Sequence, residues 1–160
     1  MTDKGFSTSF TVDQPPQAVF AAICNVRGWW SDDITGSAQK VGDRFTHQVR
    51  DLHRCDIEVT QMVPEARIVW TVLANHFSFT RDKTEWTGTE IVFEIAAVPG
   101  GTRVGFTHVG LVPDYECYAV CTDGWQTYVA SLRDLVATGR GRPYVGEART
   151  QSEAALMQGH

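Results

Sequence analysis

The chain has 160 residues, of which 42% are apolar and 21% charged, and its formal net charge is −5. This length and composition suit one domain with its own core and exclude an intrinsically disordered chain. The lack of a clustered Lys/Arg face excludes a nucleic-acid partner, and no apolar run is long enough to span a membrane. Without the apolar run of a secretory signal, we expect a cytoplasmic protein whose four cysteines are reduced.

The first third of the chain predicts one strand followed by two short helices. Residues 5–12 alternate between apolar and polar, which indicates a half-buried strand. Two prolines then end the strand and open a helix over residues 16–24. Residues 26–31 predict a second short helix, and residues 31–36 a loop.

The middle of the chain predicts a meander of strands. The alternating or apolar segments that indicate strands are residues 42–49, 52–63, 66–74, 88–98 and 102–109, with a weaker one at 76–81. Pro99-Gly100-Gly101 is a strong turn, so the last two strands form a hairpin. If Phe93 faces the interior, strand parity places Phe106 and His108 on the same face.

The last part of the chain predicts a long helix and a tail. The helix starts at Pro113, with Asp114 as a plausible N-cap, and stops at Gly139. The predicted core stripe of this helix is Tyr118, Thr122, Trp125, Val129, Leu132 and Val136. Gly124 lies in the middle of the helix, where a glycine often indicates close packing. We expect a single domain over residues 1–146 and a polar tail over 147–160, which is frayed or forms a short surface helix.

These elements predict an α+β architecture. An antiparallel sheet with helices on one side must bury its apolar face against the long helix. A twisted sheet that curls away from a straight helix leaves a gap, and such gaps are common ligand sites. We therefore predict a pocket between the sheet and the C-terminal helix.

Several short motifs, taken in order, resemble a known family. They are Gly28-Trp29-Trp30, Glu85-Trp86-Thr87-Gly88-Thr89, Phe106-Thr107-His108-Val109-Gly110-Leu111, Gly124-Trp125 and Gly139 through Pro143. Over residues 5–143 the chain resembles the START-like (SRPBCC) superfamily, in the branch named after the homologue of the activator of heat-shock protein 90 ATPase.

The resemblance implies the helix-grip (START/Bet v 1-like) fold, in which six or seven antiparallel strands curve around a long C-terminal helix. It also implies a cavity for a hydrophobic molecule, since members of the superfamily hold lipids, polyketides or similar molecules there and a minority catalyse cyclisation. The branch has no shared catalytic motif whose residues could be assigned in this sequence. The chaperone-binding domain of the eukaryotic co-chaperone has no counterpart before the first strand, which weighs against a chaperone contact.

The predicted ligand-binding residues are aromatic walls and three polar side chains. They are Trp30, His47, Cys55, Trp70, Phe79, Phe93, Phe106, His108, Tyr118 and Trp125. His108 has three interpretations: a buried neutral imidazole bonded within the core, a polar anchor for a ligand, or a general base. Glu90 and Glu94 lie on the face opposite Phe93, so we expect no inward pair of catalytic acids.

We expect non-catalytic binding of an apolar or aromatic small molecule, with no cofactor and no metal. One alternative is a cyclase- or dehydratase-like enzyme that uses His108 or His47 as a base beside a tyrosine. Another is an interaction module that stimulates a chaperone ATPase. A metal site at His47, Cys55 and His108, or starting from Cys117 and Cys121, is a weaker alternative. The sequence leaves a homodimer open.

Overall fold

Seven antiparallel strands form one curved sheet in the described part of the chain, residues 5–158 of a computed structural model. The spatial order of the strands is β1-β7-β6-β5-β4-β3-β2. The elements are β1 (Gly5–Val12), α1 (Pro16–Cys24), α2 (Val26–Trp29), β2 (Ile34–Gly36), β3 (Arg44–Val49), β4 (His53–Val63), β5 (Arg67–Phe77), β6 (Glu90–Val98), β7 (Gly101–Val109), α3 (Tyr118–Thr138) and α4 (Gln151–Gln158). This arrangement confirms the predicted α+β fold, with a curved sheet and a long helix near the C-terminus.

The β6–β7 hairpin has the predicted register. Phe93 lies opposite Phe106, and Ile91 lies opposite His108. All four side chains are buried, whereas Glu90 and Glu94 are exposed. Alternation along both strands therefore separates a core face from a solvent face, as predicted.

The helix α3 begins later than the sequence predicts. Asp114 is not its N-cap, because the chain turns through residues 113–117 and the helix starts at Tyr118. A carboxylate from a distant loop takes the capping role: Glu85 accepts hydrogen bonds from the backbone N–H groups of Glu116 at 2.8 Å and Cys117 at 3.1 Å. A tertiary partner of this kind satisfies the free amides at the helix start and cannot be found from local pattern.

The buried stripe of α3 differs from the predicted one. Trp125, Val129 and Leu132 are buried as expected, but Tyr118, Thr122 and Val136 are partly exposed. Cys121, Tyr128 and Ser131 are buried in their place. The hydroxyls of Tyr128 and Ser131 have partners in Glu153 and the N–H of Arg142, so these side chains can be buried.

Two strand boundaries also differ. The predicted loop at 31–36 contains the short edge strand β2, held by Arg27, whose guanidinium donates to the carbonyls of Ile34 at 2.7 Å and Gly36 at 2.8 Å. The weak strand at 76–81 is the end of β5, which stops at Phe77.

The segment after α3 returns across the molecule. The N–H of Tyr144 donates to Trp30 O at 2.9 Å, and Tyr144 O accepts from the N–H of Asp32 at 2.9 Å. A Cβ on Gly141 would come within 2.3 Å of Gly28 O, so this close approach requires glycine. The segment thereby brings α4 onto the first half of α3.

The tail prediction, which allowed a frayed end or a short helix, corresponds to α4 in residues 151–158. None of the helices between residues 5 and 158 is long and apolar enough to cross a bilayer.

Candidate functional site

A cavity of about 80 Å³ lies between the sheet and the first half of α3, and it is partly open to solvent. Most of the remaining space between the two layers is filled by buried aromatic and aliphatic side chains. The residues that line the cavity are Trp30, His47, Val49, Leu52, His53, Phe77, Phe79, Trp86, Val120, Cys121, Gly124, Trp125, Tyr128, Glu153 and Leu156. The cavity is therefore mainly apolar, with a few polar groups at its rim and wall.

Trp125 is the central wall of the cavity. Its ring is 5.0 Å from that of Trp30 and 5.7 Å from that of Trp86, with which it stacks at an interplanar angle of 10°. The ring of Phe106 lies 4.7 Å behind it. These contacts hold flat aromatic surfaces in fixed positions around the empty space.

Both ring nitrogens of His108 have hydrogen-bond partners inside the core. The Trp125 indole N–H donates to His108 Nδ1 at 3.0 Å, so the proton of the neutral ring must be on Nε2. That Nε2–H donates to Thr89 Oγ1 at 2.8 Å, and the Thr89 hydroxyl donates to Trp86 O at 2.6 Å. Burial lowers the pKa of His108 to about 3, which keeps the ring neutral. This geometry matches the first of the three interpretations of His108.

His47 and His53 form a different kind of site. The ring of His47 stacks on Trp30 at 4.2 Å, and the rings of the two histidines are 5.5 Å apart. Burial lowers the pKa of His47 to about 3. Burial also holds the pKa of His53 well below its usual value, helped by His47 and His108. His47 Nδ1 and His53 Nε2 are both buried and have no hydrogen-bond partner in the described structure.

The helix α4 covers one side of the cavity. Tyr128 on α3 donates its hydroxyl to Glu153 Oε2 at 2.8 Å. The other oxygen, Oε1, accepts from the N–H groups of Arg149 at 2.7 Å and Thr150 at 3.2 Å. The N–H of Glu153 donates in turn to Thr150 Oγ1 at 2.9 Å, which completes a capping box. Glu153 therefore caps the N-terminus of α4 and also links this helix to α3 by a hydrogen bond.

Gly124 is not closely packed, contrary to the sequence-based expectation. A Cβ built on this glycine meets no atom within 4 Å, and the residue lines the cavity. The absence of a side chain here leaves space that belongs to the cavity.

The ten predicted ligand-binding residues lie in two groups. Four of them, Trp30, His47, Phe79 and Trp125, come together around the cavity. The other six do not line it: five are buried in the core, namely Cys55, Trp70, Phe93, Phe106 and His108, and Tyr118 is partly exposed at the start of α3.

Sequence reasoning missed the cavity residues that come from strand ends and from α4. Alternation groups His53 with Cys55 and Phe77 with Phe79, but it does not indicate that the start of β4 and the end of β5 meet at the cavity, where His53 lies opposite Phe77. Glu153 and Leu156 lie in the predicted polar tail. The signal that could have found them is Thr150-Gln151-Ser152-Glu153, which has the spacing of a capping box.

The weaker metal alternative has no geometric support between residues 5 and 158. His47 and Cys55 are opposite each other on β3 and β4, but His108 lies on β7, with three strands between β3 and β7. No group of three His, Cys, Asp or Glu side chains in that part of the chain is placed to hold a metal ion. Burial also raises the pKa of the Cys55 thiol, which disfavours the thiolate that binds metals.

Comparison with known proteins identifies the family of this chain. The family model described as "Activator of Hsp90 ATPase homolog 1-like protein" matches residues 13–137. The chain belongs to this family. The matched range extends from just after β1 to the last turn of α3 and so includes most of the helix-grip fold.

Solved structures of this fold are similar over nearly the whole chain. The Aha1 dimer from Colwellia psychrerythraea, studied in solution, is 25% identical, with a TM-score of 0.69 over 86% of this chain and 99% of its own. A protein from Mesorhizobium loti is 18% identical, with a TM-score of 0.68 over 83% and 96% of the two chains. DynU16, from the dynemicin biosynthetic locus, is 17% identical, with a TM-score of 0.62 over 88% of this chain and 49% of its own. The last two similarities concern the fold alone. None of the curated proteins matches the sequence.

Proposed function

We propose that this family member binds an apolar or aromatic small molecule, without catalysing a reaction, in the cavity between the sheet and α3. The observation that carries the proposal is the cavity itself: about 80 Å³ of space, partly open to solvent and lined mostly by aromatic and aliphatic side chains. Apolar concave sites with a few polar groups are typical of small-molecule binding.

Two features of the site support binding over mere imperfect packing. Buried side chains fill most of the rest of the interlayer space, and the cavity differs from the groove between β1 and α3 in its mainly aromatic and aliphatic lining. Gly124 also leaves its part of the wall open, although a glycine in a helix costs about 1 kcal/mol relative to alanine. A side chain that reduced the space would also stabilise the helix.

The enzyme alternative requires a histidine beside a tyrosine hydroxyl in an open pocket. In the described structure, Tyr128 donates to Glu153, and His108 is bonded to Trp125 and Thr89. These partners favour a role in structure for both residues. We therefore retain binding as the proposed function.

A pair of variants at Gly124 tests the proposal. We expect Gly124→Leu to fill part of the cavity and weaken binding of toluene and 2-methylnaphthalene at least tenfold, whereas Gly124→Ala leaves most of the space free. The measurement is the rise in melting temperature with each probe, since a ligand that binds only the folded state stabilises it. Native mass spectrometry of the freshly purified protein looks for a molecule already bound.

Three outcomes would contradict the proposal: no probe changes the melting temperature of the wild type, no small molecule copurifies, or both variants bind as the wild type does. Unchanged circular dichroism of the two variants provides the control for folding.

We also propose that the protein forms a homodimer. The similar Aha1 protein from Colwellia psychrerythraea is a dimer, which supports a homodimer of this chain. Light scattering coupled to size exclusion tests it, and a monomer mass across the accessible concentration range would contradict it. The four exposed large apolar side chains between residues 5 and 158 lie in four different segments, which does not favour a broad chaperone-binding patch.

A further inference from the structure

Apart from the tryptophans, five polar or titratable side chains line the cavity, and most of them already have partners. Tyr128 and Glu153 bond each other, and Glu153 also accepts from two backbone amides. The Cys121 thiol contacts that of Cys117. Besides the Trp86 indole N–H, which is also buried without a hydrogen-bond partner among residues 5–158, this leaves His47 and His53.

Each of these two histidines has an unsatisfied ring nitrogen. His47 Nδ1 and His53 Nε2 are buried and have no hydrogen-bond partner among residues 5–158. A buried polar atom without a partner costs about 1–3 kcal/mol, so such atoms are exceptional in folded proteins. The same wall holds both rings, with their centroids 5.5 Å apart. Both histidines line the cavity, so a ligand group that reaches either nitrogen would remove this cost.

The charges around the cavity restrict what that group can be. Burial keeps both imidazoles neutral by lowering their pKa values. No Lys or Arg of the described chain lines the cavity, while the Glu153 carboxylate does. A bound anion would therefore be buried without a counter-charge, which is strongly unfavourable.

We propose, on the basis of the proposed binding function, that the ligand is an uncharged planar aromatic molecule with a hydroxyl group, and that His47 and His53 receive this hydroxyl. A hydroxyl both donates and accepts, so it satisfies a neutral imidazole in either tautomer. The aromatic body of the ligand lies against Trp30, Trp125 and Phe79, whose faces and edges surround the space.

Isosteric pairs of probes test this inference. A hydroxyl and a methyl group have nearly the same size, so 2-naphthol is compared with 2-methylnaphthalene, and phenol with toluene, which covers a two-ring and a one-ring ligand. The charged probes are 2-naphthoate and 2-naphthylmethylammonium. Calorimetry gives each dissociation constant for the wild type, for His47→Phe and for His76→Phe. Phenylalanine at 47 keeps a ring against Trp30, and His76 is an exposed control on β5.

We expect the ratio of the methyl to the hydroxyl dissociation constant to fall about tenfold in His47→Phe and to stay unchanged in His76→Phe. Both charged probes should bind at least tenfold more weakly than 2-naphthol. His53→Phe provides a second variant if His47→Phe does not fold.

An equal ratio in the wild type and in the folded His47 or His53 variant overturns the inference but leaves the proposed function intact. The inference is also overturned, and the proposed function left intact, if 2-naphthoate or 2-naphthylmethylammonium binds more tightly than the other probes. Absence of binding by every probe overturns the proposed function and this inference together.

Discussion

The hydroxyl of Thr89 bridges two buried groups, the ring of His108 and the backbone carbonyl of Trp86. It accepts from His108 Nε2 at 2.8 Å and donates to Trp86 O at 2.6 Å. His108 in turn accepts from Trp125, which is the central wall of the cavity. A single side chain on the turn before β6 thus holds the position of that wall.

A matched pair at this residue tests its role. Thr89→Val keeps the shape but removes the hydroxyl. We expect a loss of about 2 kcal/mol because the buried His108 Nε2–H loses its partner, whereas Trp86 O keeps the bond from the Thr89 backbone N–H. Thr89→Ser keeps the hydroxyl and removes one buried methyl, for an expected loss of about 1 kcal/mol. Urea unfolding measures both. Equal losses in the two variants would show that the hydroxyl network contributes nothing.

At the scale of elements, α4 is the least extensively packed helix that touches the cavity. None of its residues is fully buried, and it is held through Leu156, Met157, the Tyr128–Glu153 bond and the capping box. A helix of 8 residues is too short to be stable alone in water. Its presence over the cavity therefore depends on these few contacts.

The capping residue Thr150 offers a test of that dependence. Thr150→Ala should cost α4 about 1 kcal/mol and speed hydrogen exchange of its amides about fivefold, while exchange in α3 stays the same. Ser152→Ala is the control, because Ser152 is in the same turn and takes no part in the capping box. Comparable exchange rates in the two variants would contradict a capping role for Thr150.

At the scale of the whole molecule, the buried histidines link stability to pH. The folded pKa values of His47 and His108 are lowered to about 3, from 6.5 for a free side chain. Below pH 6.5 the unfolded chain therefore binds more protons than the folded one, and stability decreases as pH falls towards 3. Above pH 6.5 both imidazoles are neutral in the folded and in the unfolded chain, so they no longer make stability depend on pH.

We expect each of these histidines to remove about 2 kcal/mol from the free energy of unfolding between pH 7 and pH 5. His47→Phe should reduce the total pH-dependent loss by that amount, and His76→Gln, on an exposed part of β5, should not. Urea titrations at pH 7, 6 and 5 give the comparison. The expectation fails if His47→Phe and the wild type lose the same amount.

The fold could be predicted because its signals are local. Alternation in the β6–β7 hairpin and the turn at Gly100 determine the register, and the periodicity of α3 identifies the covering helix. The site depends instead on tertiary contacts. The cap that Glu85 supplies to α3, the open space beside Gly124 and the return of α4 over Tyr128 involve residues far apart in the chain, and composition or spacing does not reveal them.

All five tryptophans belong to one connected group of rings. Trp29, Trp30 and Trp70 are about 6 Å from one another, Trp30 is 5.0 Å from Trp125, and Trp125 is 5.7 Å from Trp86. Indoles this close exchange excitation energy and couple their electronic transitions. The ultraviolet emission and exciton signals of the protein therefore belong to the group as a whole, and a change at the cavity wall alters the spectrum of every tryptophan in the chain.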